Sequence, residues 1–250
     1  MNKKIDIKAL KEMIQEYFSA VANNLGYDGS IHRNIMLLCG IIRALPQFSH
    51  DVLGESFYKL IVAVPRKSGV EDLIPVTISE RLLDIRRLSP GRVISLVGQF
   101  RSYNHVTEEG KLKLVLTVLA NEVELIEDGQ YFRYENTIML DGNTCKEPVH
   151  RFTPFGKEIT EILLAVNRKY SKSDYIPLIT WGRNATYTAN LPVGDRIVAI
   201  GRLESREYKK ILESGEIQQR TAYEVAVSSV IATGENNRKL EQQNCSSSVA

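Results

Sequence analysis

Asn34-Ile-Met-Leu-Leu-Cys-Gly40 returns as Asn136-Thr-Ile-Met-Leu-Asp-Gly142, and Leu60-Ile-Val-Ala-Val-Pro-Arg66 returns as Ile162-Leu-Leu-Ala-Val-Asn-Arg168. The separation is 102 residues in both cases. The same offset carries Asp72-Leu-Ile-Pro-Val76 onto Asp174-Tyr-Ile-Pro-Leu178. An offset of 103 carries Pro90-Gly-Arg-Val-Ile-Ser-Leu-Val-Gly98 onto Val193-Gly-Asp-Arg-Ile-Val-Ala-Ile-Gly201. Self-similarity at a fixed period marks a duplicated structural unit, and a unit of about 100 residues is of ordinary domain size.

Each copy reads as an apolar strand ending in glycine, a second strand ending in arginine, and a third after the Asp-x-Ile-Pro signal. A short helical stretch follows (Glu80 to Leu88, then Asn184 to Leu191), and a glycine-turned hairpin closes the copy, from Gly110 to Val123 and from Gly215 to Val230. Five strands with a helix between the third and fourth is the layout of an OB-fold, a five-stranded Greek-key barrel. Before the first copy, Ile7, Leu10, Ile14, Tyr17, Phe18, Val21 and Leu25 recur at helical spacing, which predicts one amphipathic helix ended by Gly26. It either covers a barrel end in its own chain or pairs with another subunit. The stretch from Gly234 to Ala250 is polar and aperiodic and reads as a disordered tail. The expected organisation is therefore all-β: helix 1–30, OB-fold 31–130, OB-fold 131–233, tail 234–250.

Composition narrows the chemistry. With 32 Lys+Arg against 30 Asp+Glu in 250 residues, the net charge of +2 gives no global basic signature. There is no apolar span long enough for a membrane helix and no secretory leader pattern, so a cytoplasmic protein is expected. Cys39, Cys145 and Cys245 are scattered and the four histidines isolated, which predicts neither disulfide nor zinc site. Gly156-Lys157 is preceded by Arg151 where a phosphate-binding loop needs glycine, and followed by Glu158 where it needs Ser or Thr. With no carboxylate cluster at metal spacing either, no enzyme and no cofactor are expected.

The copies do not differ in charge: residues 31–127 hold 12 basic and 11 acidic side chains, and residues 128–233 hold 14 and 13. They differ in aromatics, 5 against 11. In the second copy Tyr170 adjoins Lys169 and lies near Lys172, Trp181 precedes Arg183, and Tyr208 is flanked by Arg206, Lys209 and Lys210. Aromatics interleaved with cations suit sequence-tolerant single-strand binding, since every base offers a π-face and every nucleotide a phosphate. Tyr187 and Tyr223 read as packing residues.

Residues 136–230 resemble the DNA-binding domain of the bacterial single-stranded DNA-binding protein family. The carrying segments are Thr153-Pro-Phe-Gly156, Leu164-Ala-Val-Asn-Arg168, Tyr175-Ile-Pro-Leu-Ile-Thr-Trp-Gly-Arg-Asn-Ala185, and Val193-Gly-Asp-Arg-Ile-Val-Ala-Ile-Gly-Arg-Leu203 running to Tyr208. The resemblance implies base stacking on Tyr170, Tyr175, Trp181 and Tyr208. Arg168, Lys172, Arg183, Arg202, Arg206 and Lys209 are the expected phosphate contacts. The offsets place Ser68, Leu73, Ser79 and His105 of the first copy on the four aromatic positions, so no platform is expected there, although Arg66, Lys67, Arg101, Lys111 and Lys113 remain. The resemblance further implies a role in DNA replication, repair or recombination, a nucleoid-associated location through DNA, and a homo-oligomer, with a dimer of two-barrel chains supplying four barrels. The chain closes on Cys245-Ser-Ser-Ser-Val-Ala250 without the family's acidic tip, so tail-mediated partner recruitment is not expected. The competing expectation is an OB-fold scaffold, a primosome-like accessory protein that binds other replication proteins.

Overall fold

The strands follow from short β-branched and apolar runs that end at Gly, Pro or Asp. The computed structural model describes residues 5–23, 33–106, 110, 112–168, 170–211, 215 and 217–233. In chain order the elements are α1 (Ile7–Ala22), β1 (Asn34–Ile42), β2 (Gln47–Val52), β3 (Glu55–Pro65), β4 (Glu71–Ser79), a 3₁₀ turn (Ile85–Arg87), β5 (Val93–Val106) and β6 (Leu112–Ile126). The second copy supplies β7 (Glu135–Thr144), β8 (Val149–Phe152), β9 (Glu158–Arg168), β10 (Lys172–Trp181), α2 (Arg183–Thr188), β11 (Arg196–Ile211) and β12 (Ile217–Ala232).

The strand order of the first copy is β2-β3-β4-β6-β5-β1, with β3 also pairing β1. That of the second is β7-β11-β12-β10-β9-β8, with β9 also pairing β7. These are two OB-folds. The first strand of each barrel comes as two segments, because Pro46 and Pro148 interrupt β1–β2 and β7–β8 and cannot donate to a ladder. The pairing registers reproduce the repeat: Ala63 faces Leu73 and Val64 faces Asp72, while Ala165 faces Tyr175 and Val166 faces Asp174. At the barrel seams Ile41 faces Ala63 and Asn143 faces Ala165. Gly40 and Gly142 sit at these seams, where an added Cβ would run into the carbonyl oxygens of Ala63 and Ala165. Closing the sheet at that point therefore requires glycine.

The cores are filled by alternate residues of the strands. Met36, Leu38, Val62, Val64, Ile74, Val76, Ile94, Leu96 and Phe100 fill the first, and Ile138, Leu140, Leu164, Val166, Ile176, Leu178 and Ile197 the second. The helix expected over Glu80 to Leu88 is reduced to the turn Ile85–Arg87. Asp84 accepts from the Arg86 backbone N–H at 3.0 Å, so its side chain competes with helical bonding, and Pro90 lies too close for a further turn. In the second copy α2 forms. Its Thr188 Oγ1 meets Thr180 Oγ1 at 2.8 Å, and Thr160 Oγ1 donates to the Ala185 carbonyl at 2.8 Å.

The helix α1 packs within its own chain. Ile14 and Val21 are buried, and the Tyr17 hydroxyl donates to Asp141 Oδ2 at 2.7 Å while the Arg33 guanidinium covers the Tyr17 ring at 4.4 Å. Asp141 is itself buried and accepts Arg196 Nε at 2.7 Å. Gly26 and the tail 234–250 lie outside the described residues, as do Lys111 and Lys169. The chain divides into two compact units. One comprises Met1–Ile7, Ile35–Ile138 and Arg202–Val225, the other Lys8–Asn34, Met139–Gly201 and Ala226–Ala250. No described helix is long and apolar enough to cross a membrane.

Candidate nucleic-acid interface

Three of the four predicted aromatics belong to the β9–β10 hairpin. Tyr170 occupies its tip with φ 63° and Ser171 follows with φ 51°, a left-handed pair that turns the chain between Arg168 and Lys172. Its ring is 90% exposed. Along β10 the outward positions alternate with buried Asp174, Ile176, Leu178 and Thr180, so Tyr175 and Trp181 share the solvent face. They are 45% and 43% exposed and roughly 20 Å apart along the strand. Tyr208 lies on the exposed end of β11, 38% exposed, with the Arg206 guanidinium 6.0 Å from its ring centroid.

The six predicted cations fall into two groups. Lys172, Arg183 and Lys209 are exposed. Arg168 Nη1 lies 3.7 Å from buried Asp174, Arg206 Nε lies 3.8 Å from Glu224, and Arg202 donates to Asp72 at 2.6 Å. Arg202 is thus held by a carboxylate while its side chain stays partly exposed. In the first copy Arg66 binds the same Asp72, and Arg101 donates to Gln99. The hydrogen bonds that Arg66 donates to Asp72 are the main reason that its pKa is raised. Leu73 is partly exposed but aliphatic where Tyr175 stands, and Ser79 is buried where Trp181 stands.

At the foot of β9, opposite the Trp181 end of β10, the Glu158 carboxylate accepts the Thr186 hydroxyl at 2.7 Å and lies 2.9 Å from His150 Nε2. These two bonds, the threonine's first, hold its pKa below the usual value. Of the two expected packing tyrosines, Tyr223 is half-buried and burial raises its pKa, whereas Tyr187 is exposed, its hydroxyl accepting from the Ala232 N–H at 3.1 Å. Sequence reasoning passed over Phe152 and Phe155, exposed at the β8–β9 turn. The Thr-Pro-Phe-Gly turn itself was the available signal, since Gly156 at φ 72° places the preceding phenylalanine at a tip rather than in a core. Asp72 was visible only as part of the repeated Asp-x-Ile-Pro signal, which says nothing of its partners, and Ser205 had no local signal.

The model of the single-strand binding protein family matches residues 135–233. Those residues are similar to that family. The chain is 37% identical over 81 residues to the single-stranded DNA-binding protein of Clostridium tetani, an alignment covering 30% of this chain and 56% of that one. The match to single-stranded DNA-binding protein A of Bacillus subtilis is 36% over 81 residues, 30% of this chain and 47% of the relative. The chain thus spans about half the length of these curated relatives. The single-stranded DNA-binding protein of Thermus aquaticus aligns at 25% over 218 residues, 76% of this chain and 81% of that one. Its wild-type crystal structure superposes with a TM-score of 0.66 at 21% identity, covering 82% of this chain and 95% of that chain, which establishes the tandem fold for both copies.

Proposed function

We propose that this chain binds single-stranded DNA without strong sequence preference, in replication, repair or recombination, and that it is not an enzyme. The observation that carries the reading is the solvent-facing row Tyr170, Tyr175 and Trp181 on one hairpin of the second barrel. Bases stack on these three and on Tyr208. Lys172, Arg183, Lys209, Arg168 and Arg206 follow the phosphates, and Arg202 contributes charge from within its ion pair. The stacking domain is 131–233, with 31–130 a second barrel lacking the platform. The working state is a homo-oligomer, a dimer of two-barrel chains, in the cytoplasm on nucleoid DNA. Sedimentation of the full chain tests the dimer.

Trp181 is the sole tryptophan, so titration with oligo-dT should quench intrinsic fluorescence. Stacking contributes about 1–3 kcal/mol per base, and Trp181→Ala should weaken binding about tenfold or more while the circular dichroism stays unchanged. Unaltered affinity would remove the platform. The reading as a scaffold for other replication proteins is favoured by one observation, the pairing of Arg66 and Arg202 with Asp72. Displacement of a bound protein partner by a short oligonucleotide separates the two, because a scaffold surface distinct from the platform would be indifferent to it.

A further inference from the structure

Asp72, at the start of β4, is fully buried and accepts hydrogen bonds from three groups. Arg66 reaches it through Nε at 3.1 Å to each oxygen and through Nη2 at 2.6 Å. Arg202 Nη2 donates at 2.6 Å, and the Ser205 backbone N–H at 2.9 Å. Around this centre the Leu73 N–H donates to Ser205 Oγ at 2.9 Å, and Arg66 Nη2 donates to the Ser205 carbonyl at 3.2 Å. Glu204 lies 3.2 Å from Arg66 and 3.5 Å from Arg202. All of these residues belong to the compact unit that contains both Ile35–Ile138 and Arg202–Val225.

The location matters more than the number of bonds. Beyond Ser205, every residue of β11 from Arg206 to Ile211 is exposed, so this arm has no core of its own to fix its direction. Its direction is set at the root and by pairing with β12. Side chains alternate along a strand, so Arg202, Glu204, Arg206 and Tyr208 share one face, with Tyr208 roughly 10 Å beyond Ser205. A buried carboxylate bound by two guanidinium groups and a backbone amide tolerates little displacement, since a partner removed leaves a buried charge uncompensated. On the Tyr208 face the root side chains Arg202 and Glu204 are therefore held in one geometry.

We propose that Asp72 is a positioning residue for Tyr208: the barrel that lacks the aromatic platform supplies the anchor that aims the stacking arm of the other copy. This rests on the reading that Tyr208 stacks a base. In the repeat, Asp174 pairs with Arg168 of its own hairpin just as Asp72 pairs with Arg66, and Asp72 in addition reaches across 130 residues of sequence to Arg202.

The test is a double-mutant cycle on the full chain, with labelled oligo-dT and anisotropy as the readout. Asp72→Asn should weaken binding about tenfold, the scale of one lost base stack. That loss should disappear in a Tyr208→Ala background and persist in a Tyr175→Ala background. An equal loss in both backgrounds, or no loss, overturns the positioning role. Failure of the unmutated chain to bind oligo-dT overturns the single-strand reading instead. Should Asp72→Asn not fold, Ser205→Ala, which removes the bond from Leu73, runs the same cycle with a smaller expected loss and the same deciding pattern.

Discussion

The β3–β4 and β9–β10 hairpins are one structure built twice, with pairing partners displaced by 102 residues and a seam glycine at the same place in each. Their inward faces agree: Val62, Val64, Ile74 and Val76 correspond to Leu164, Val166, Ile176 and Leu178. Their outward faces do not. Tyr175 and Trp181 answer to Leu73 and Ser79, and the buried aspartate pairs with an arginine of its own hairpin in both copies, Asp72 binding the distant Arg202 as well. The inward face is constrained by packing, which is unforgiving of volume changes. The outward face is free to differ, with Tyr175 and Trp181 in one copy and Leu73 and Ser79 in the other.

The broadest way to break the comparison is at the seams. Gly40→Ala and Gly142→Ala should each destabilise the protein by about 1–3 kcal/mol or more in urea unfolding, since the obstructing atoms are backbone carbonyls. A large cost at one seam and none at the other would mean the barrels close differently. Next comes the pair Tyr175→Ala and Leu73→Ala. The first should cost about tenfold in oligo-dT affinity and the second less than about twofold, and equal losses would erase the functional division between the copies.

Smaller effects sharpen it. Log affinity should fall with log salt by about 0.7 per phosphate contact on single strands; Lys172→Ala should reduce that slope by about this amount and Lys67→Ala should leave it alone. Thiol chemistry gives a further contrast. Burial pushes the Cys39 thiol up to about 11, whereas Cys145 is raised by burial but remains partly exposed. In a Cys245→Ser background near pH 8, Cys145 should react with a disulfide reagent well before Cys39, which should react only on unfolding. The smallest difference is set by acid. Glu158 has its pKa lowered by Thr186 and then His150, so its contribution is present above the ordinary value of 4.5 and is lost as pH falls through the lowered one. The first copy has Ser56 at that register position. Acid melts of Glu158→Gln should show a weaker pH dependence in that window, and an unchanged curve would remove Glu158 from the account.

Much of this was legible before any coordinates. The repeat, the alternation within each strand and the turn residues are local properties, and they fix element type, copy number and the inward set from Met36 to Ile197. The aromatics Tyr170, Tyr175, Trp181 and Tyr208 were legible as well, because cations adjoin them in sequence and the family resemblance singles out those four positions. The helix over Glu80 to Leu88 was not, since its failure depends on Asp84 capturing the Arg86 N–H and on the nearness of Pro90.

By itself, then, the sequence determined two barrels and an aromatic face on one of them, since periodicity and repetition act over neighbouring residues. Only the tertiary structure decided which cations face solvent and which are paired. Asp72 and Arg202 are 130 residues apart, and no local pattern relates them. Their pairing exists because folding removes a carboxylate from water and leaves it needing partners from wherever the chain brings them. The same holds for Tyr17 and Asp141, 124 residues apart, whose hydrogen bond helps hold the N-terminal helix to its own chain.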